Sequence, residues 1–143
     1  MEIEILRCIL VRDKVIEYAP VNSPDDAVEL FRAIGLGDQA DESFWMLCMS
    51  TDGSITSLHE ISHGDLTSTV VSPREVYKRA ILAQAARVVF GHNHPSGSVN
   101  PSNEDRATTD RLKAAGDLVG IKVVDHIIVA GQKHFSFAAE GLL

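Results

Sequence analysis

Cysteine is scarce in this sequence, long apolar runs are missing and basic charge is in deficit; each shortage removes a class of function. Only two cysteines are present, Cys8 and Cys48. They lie far apart in apolar stretches, Leu6 to Val11 and Phe44 to Met49, which predicts two buried free thiols rather than a disulfide or a ligand pair. At 143 residues the chain is long enough to bury one core without such staples. Its opening residues hold no apolar run of the length that a signal peptide or a membrane helix requires, so neither is expected. These features together point to a reducing cytoplasm.

Thirteen Lys and Arg stand against twenty Asp and Glu, a net charge of -7. Nucleic-acid binders draw most of their affinity from neutralising phosphates and carry a basic footprint. Here the basic residues are scattered and no aromatic and Arg cluster forms, which argues against independent DNA binding. Apolar residues at 45% and charged residues at 23% are ordinary for a globular domain. Without an internal repeat, low-complexity tract or linker, residues 1–143 read as one domain.

What is present alternates between strand and helix patterns. Ile3 to Val11 is rich in β-formers and reads as an N-terminal strand, with residues 1–24 as the lead-in to a core over 25–143. Asn22-Ser23-Pro24-Asp25-Asp26 supplies a helix cap, a first-turn proline and early acids, followed by Val28, Leu30, Phe31 and Ile34 at near-helical spacing; Gly35 and Gly37 end that run. Phe44 to Met49 and Ile55 to Ile61 flank Thr51-Asp52-Gly53-Ser54, a hairpin signal. A short strand is expected over Ser68 to Val71. Ser72 and Glu75 match a capping box for a helix whose apolar face is Val76, Tyr77, Ala80 and Ile81. Val88-Val89-Phe90 has a buried-strand pattern. Pro101 and Ser102 open a further helix with Leu112, Ala115, Leu118 and Val119 inward and Gly120 at its end. Ile121 to Val124 and His126 to Ala130 read as strands on either side of Asp125, and Phe135 to Phe137 as an edge. The sum is an α/β domain with a mixed sheet.

The chemistry concentrates in Gly91-His92-Asn93-His94-Pro95-Ser96-Gly97 and in Pro101-Ser102-Asn103-Glu104-Asp105. If Val88 to His94 is extended, period-two alternation turns His92 and His94 to the same side. Pro95 stops the pairing and Gly97 lets the chain turn back. Asp105 then falls in the first turn of a helix, from which its carboxylate can reach the same point. Two imidazoles and a carboxylate leave a fourth tetrahedral position for water, the mark of a catalytic rather than a structural zinc site. Ser102 and Asp105 also have the spacing of an N-terminal cap, and His-x-His alone is weak evidence. The joint pattern is more telling. Four specified residues at fixed offsets recur by chance at roughly one start in a hundred thousand.

His92-Asn93-His94, seven residues, Ser102, two residues and Asp105 resemble the JAMM metalloprotease motif, also called JAB or MPN+. The longer string His92 to Gly97 with Pro101-Ser102-Asn103-Glu104-Asp105 resembles the bacterial RadC branch, as do Val71-Ser72-Pro73-Arg74-Glu75-Val76 and Asp125-His126-Ile127-Ile128-Val129. The likeness runs from about Asp25 to the C-terminus. It implies the JAMM fold, a cytidine-deaminase-like mixed β-sheet flanked by helices, with one Zn2+ and hydrolysis of an amide, isopeptide or peptide bond of a protein or peptide substrate. It further implies His92, His94 and Asp105 as zinc ligands and Ser102 as a hydrogen-bond donor to the metal water or the developing oxyanion. The family's general acid/base Glu stands just after the first helix, where Glu42 fits; Glu60, on the partner strand of the hairpin, is the rival.

Two other readings remain beside the enzyme. The RadC name is tied to DNA repair, yet full-length RadC-like proteins carry a helix-hairpin-helix segment that is not expected in this acidic sequence. Many MPN relatives are non-catalytic scaffolds that have lost their ligands, whereas every ligand-matching position is filled here. His59, His63 and His134 read as surface or hydrogen-bonded residues, and His126 as structural or supporting.

Overall fold

The computed structural model describes residues 1–64 and 71–143. Among the described residues, five strands form one mixed sheet and three helices pack with it: α1 Pro24–Ala33, a 3-10 turn Leu36–Asp38, β1 Ser43–Met49, β2 Ile55–His63, α2 Pro73–Leu82, β3 Arg87–Asn93, α3 Asn103–Val119, β4 Lys122–Ala130 and β5 Lys133–Ser136. The strand order is β2-β1-β3-β4-β5. Only β3 and β4 are parallel; their connection passes through α3, as a parallel pair requires. All other neighbours are antiparallel.

Alternation along the strands divides the core between the two faces of the sheet. Phe44, Met46 and Cys48 of β1 and Val88 and Phe90 of β3 pack with Val76, Tyr77 and Ala80 of α2 and Leu112 of α3. Leu47, Met49 and Val89 point the other way, onto Val28 and Phe31 of α1 and Leu36. Gly91 is what lets α1 come so close. A Cβ there would lie 2.7 Å from the Phe31 ring.

Capping sets where the helices begin. Ser23 and Asp26 form a reciprocal capping box at α1, as do Ser102 and Asp105 at α3. At α2 only half of the expected box forms: Ser72 accepts the Glu75 N–H, while the Glu75 carboxylate pairs with Lys78 and Arg79 instead.

Several expectations need correction. Ile3 to Val11 forms no strand; residues 1–20 have no secondary structure and are exposed, because no neighbouring strand satisfies their backbone groups and propensity alone cannot. Cys8 is consequently exposed, although Cys48 is buried. The two strands expected around Asp125 are one, β4, continuous through a bulge. Val88 pairs with Val123 but Val89 with Asp125, so Val124 is the extra residue. Ile81 and Leu118 are exposed. The buried stripe of α3 is Thr108, Thr109, Leu112 and Gly116. A Cβ on Gly116 would lie 2.5 Å from the Tyr77 hydroxyl, so its absence brings α2 against α3. There the hydroxyl donates to the Leu112 carbonyl at 2.5 Å. The short strand expected over Ser68 to Val71 lies, apart from Val71, outside the described residues. Among the described residues no helix is long and apolar enough to cross a membrane.

Candidate metal centre

Val88, Phe90 and His92 share one face of β3, so the alternation that buries Phe90 also carries His92 to the end of the same row. The strand ends at Asn93, yet the His94 N–H still donates to the Val129 carbonyl at 3.1 Å, which keeps the chain extended one residue further. His94 therefore falls on the side of His92, as the sequence predicts. The Gly97 N–H returns to the His94 carbonyl at 3.1 Å in a tight turn that needs the positive φ of Gly97, and the chain runs from there into α3.

At the start of α3 the Asp105 carboxylate does two things. Oδ2 accepts the Ser102 N–H at 2.8 Å and lies 3.2 Å from His94 Nε2, while Oδ1 lies 3.3 Å from His92 Nε2. The two Nε2 atoms are 2.9 Å apart. Cap and candidate ligand are thus the same side chain. His94 Nδ1 lies 2.8 Å from the Ser98 carbonyl, which only accepts, so that nitrogen carries the proton and Nε2 of the neutral ring presents its lone pair.

A proton on one of the two Nε2 atoms turns their contact into a hydrogen bond; where none is present the converging lone pairs repel one another unless a cation lies among them. Metal–ligand bonds of about 2.0–2.1 Å at tetrahedral angles would separate donor atoms by about 3.3–3.4 Å. The edges of the His92, His94 and Asp105 triangle, 2.9, 3.2 and 3.3 Å, come close to that spacing. These three residues are the His/Cys/Asp/Glu group that could hold a metal ion among the described residues.

Electrostatics agree with the geometry. Burial opposes ionisation of Asp105, but His92 and His94, which donate to the carboxylate once their Nε2 atoms take up protons, and the charge His92 then carries outweigh it and hold the carboxyl well below the usual range. His94 is shifted up, first by its hydrogen bond to Asp105, against the opposing pull of burial. His126 is pushed far down by complete burial and then by the charge of His92.

Glu42 and Ser102 line the same cleft as the three residues, together with Phe44, Val71 and His126. Ser102 Oγ accepts the Asp105 N–H at 3.0 Å, which leaves its own proton free for another acceptor. Glu60 is elsewhere: its carboxylate accepts from Ser43 Oγ at 2.8 Å and lies 3.3 Å from His63 Nδ1. His59 is bonded to Ser57, and His134 is exposed on β5. The carboxylate of Asp125 is engaged away from the His92 and His94 imidazoles. It accepts from the N–H groups of His126 and Ala138 and from Ser136 Oγ, fastening the chain after β5.

Two residues escaped the sequence reading. Asn93, between the histidines, turns to the opposite face by the same alternation and braces the chain around Glu42: Oδ1 accepts the Ser43 N–H at 2.7 Å and Nδ2 donates to the Asp41 carbonyl at 3.0 Å. Thr109 lies one helical turn after Asp105 and is buried beside His126. A threonine pair at 108–109 inside an apolar stripe was the available signal.

Comparison with known proteins shows the family to which the chain belongs. The profile described as RadC-like JAB domain matches residues 21–142. A UPF0758 protein of Rubrobacter xylanophilus is 44% identical over 123 residues, covering 86% of this chain and 53% of its own length. One from Staphylococcus haemolyticus is 41% identical over 125 residues, with 87% and 54% covered. A third, from Finegoldia magna, is 44% identical over 135 residues, with 94% and 59% covered. The chain thus spans little more than half the length of these curated relatives. With the matched profile and these identities, the chain belongs to the RadC-like JAB domain family.

Proposed function

We propose that this domain is a zinc-dependent hydrolase that cleaves an amide, isopeptide or peptide bond in a protein or peptide substrate. The observation that carries the reading is the convergence of His92 Nε2, His94 Nε2 and the Asp105 carboxylate at 2.9–3.3 Å in a cleft that Glu42 and Ser102 also line. Two imidazoles and a carboxylate are the donor set of catalytic zinc sites that keep a position open. Zinc held there supplies a Lewis acid that polarises the substrate carbonyl and makes water acidic enough to attack near neutral pH.

The remaining work falls to side chains of this chain. Glu42 accepts the proton of the attacking water and returns it to the leaving nitrogen, as a general base and then a general acid. Ser102, whose oxygen is already held by the Asp105 N–H, donates its hydroxyl proton to the oxyanion that forms in the transition state. Phe44 and Val71 give the cleft an apolar wall that keeps bulk water from competing with these contacts. The free thiols and a net charge of -7 suit the cytoplasm and a protein rather than a nucleic-acid substrate.

The test is to incubate the zinc-loaded chain with panels of peptides and of isopeptide-linked peptide pairs and to follow cleavage by mass spectrometry. Products made by the native chain and missing with Glu42→Gln, which keeps its zinc, support the reading. Products made equally well by Glu42→Gln would overturn the assignment of the base.

A further inference from the structure

We infer that Thr109 and His126 are positioning residues: a hydrogen-bonded relay from Thr109 through His126 fixes the tautomer of His92 so that its Nε2 lone pair faces the metal point. The relay's purpose rests on the zinc site proposed above, whereas its proton order follows from the hydrogen bonds themselves.

The relay begins at a group that can only accept. Thr109 Oγ1 donates its one proton to the Asp105 carbonyl at 2.8 Å. Its other close partner is His126 Nδ1 at 2.6 Å, and with its proton already committed the hydroxyl oxygen can only accept there. His126 Nδ1 therefore carries a proton. The His126 ring is fully buried, among Phe44, Phe90 and Phe137, the last stacked on it at 4.7 Å, and such surroundings favour the neutral imidazole. Its Nε2 then bears a lone pair, and 2.7 Å away lies His92 Nδ1. That nitrogen must donate, which leaves His92 Nε2 without a proton, 2.9 Å from His94 Nε2 and 3.3 Å from Asp105 Oδ1.

Asp105 thus acts at both ends: its carbonyl sets the proton order of the relay, and its carboxylate joins the histidines at the site. The β4 bulge is what makes the contact possible. Without the extra residue Val124, strict alternation from Val123 would turn His126 to the α1 side of the sheet; with it, His126 pairs with Phe90 and shares the face of His92. The two histidines hold their tautomers by different means, His94 on a loop carbonyl and His92 on a buried side chain.

Two measurements on the full chain test the relay. In metal-free, 15N-labelled protein at about pH 8.5, above the ordinary imidazole range, two-bond nitrogen–proton correlations report which nitrogen of each ring is protonated. The expected result is a proton on Nδ1 of both His92 and His126; a proton on His92 Nε2 overturns the inference, and this reading needs no variant to fold. Secondly, zinc affinity is measured by competition with a chromophoric chelator. Thr109→Val, which keeps the shape and removes the hydroxyl, is expected to raise the dissociation constant about 10–100-fold, and Thr109→Ser to restore it. A Thr109→Val chain that folds with native affinity and native ring tautomers overturns the relay. A native chain that takes up no zinc defeats the zinc reading alone, and the ring protons still decide the relay.

Discussion

Asn93 Oδ1 accepts the backbone N–H of Ser43 at 2.7 Å, so the end of β3, between His92 and His94, is fastened to the residue next to Glu42. The side chain is buried, and its amide also donates to the Asp41 carbonyl. Asn93→Ala leaves the Ser43 N–H and the Asp41 carbonyl without this partner and is expected to cost about 1–3 kcal/mol. Urea unfolding reads that loss. Zinc content is expected to be unchanged, since the Asn93 side chain points away from His92, His94 and Asp105; an Asn93→Ala chain of native stability contradicts the brace.

Gly91→Ala places a methyl group 2.7 Å from the Phe31 ring, and the helix or the ring must move. Overpacking of this kind costs about 1–3 kcal/mol. A lowered urea midpoint at unchanged m-value is the expected result, and native stability would show that α1 does not pack there.

Acid and base act on the metal-free chain from opposite sides. The Asp105 carboxyl is depressed below its ordinary 3.8, so its contribution to stability is complete above that value and is lost as the pH falls through the depressed one. The His94 imidazole is raised above its ordinary 6.5, so its contribution is complete below that value and is lost as the pH rises through the raised one. The pair therefore supports folding most between about pH 4 and pH 6.5. Thermal unfolding across this range is expected to show the gain in the native chain and to lose it in Asp105→Asn; the same profile in both contradicts the pairing.

The site was more legible in the sequence than its supports were. His92, His94 and Asp105 could be placed because strand alternation and a helix cap are local rules that bring them to one point. Glu42 could only be placed through resemblance, since its approach to the cleft depends on the Asn93 bridge between distant segments. His126 was harder still: one bulge residue, Val124, decides which face it joins, and no composition rule marks that position. The Ile3 to Val11 strand failed for a related reason, because β-propensity is realised only where a partner strand is available.

Glu42 and Glu60 are separated by where their carboxylates are used. Glu60 is engaged by Ser43 and His63, whereas Glu42 lines the cleft. Glu42→Gln is expected to lower turnover of any substrate found by about 10²–10⁴-fold with zinc retained, and Glu60→Gln to change it little. Comparing kcat for the two variants checks this, and a larger loss in Glu60→Gln reverses the assignment.

Elemental analysis of the untagged chain, with His94→Ala purified beside it, decides whether His92, His94 and Asp105 hold zinc. About one zinc per native chain is expected, held through purification or taken up from micromolar zinc, and none in the variant. A native chain that holds no zinc under either condition rules out the zinc site.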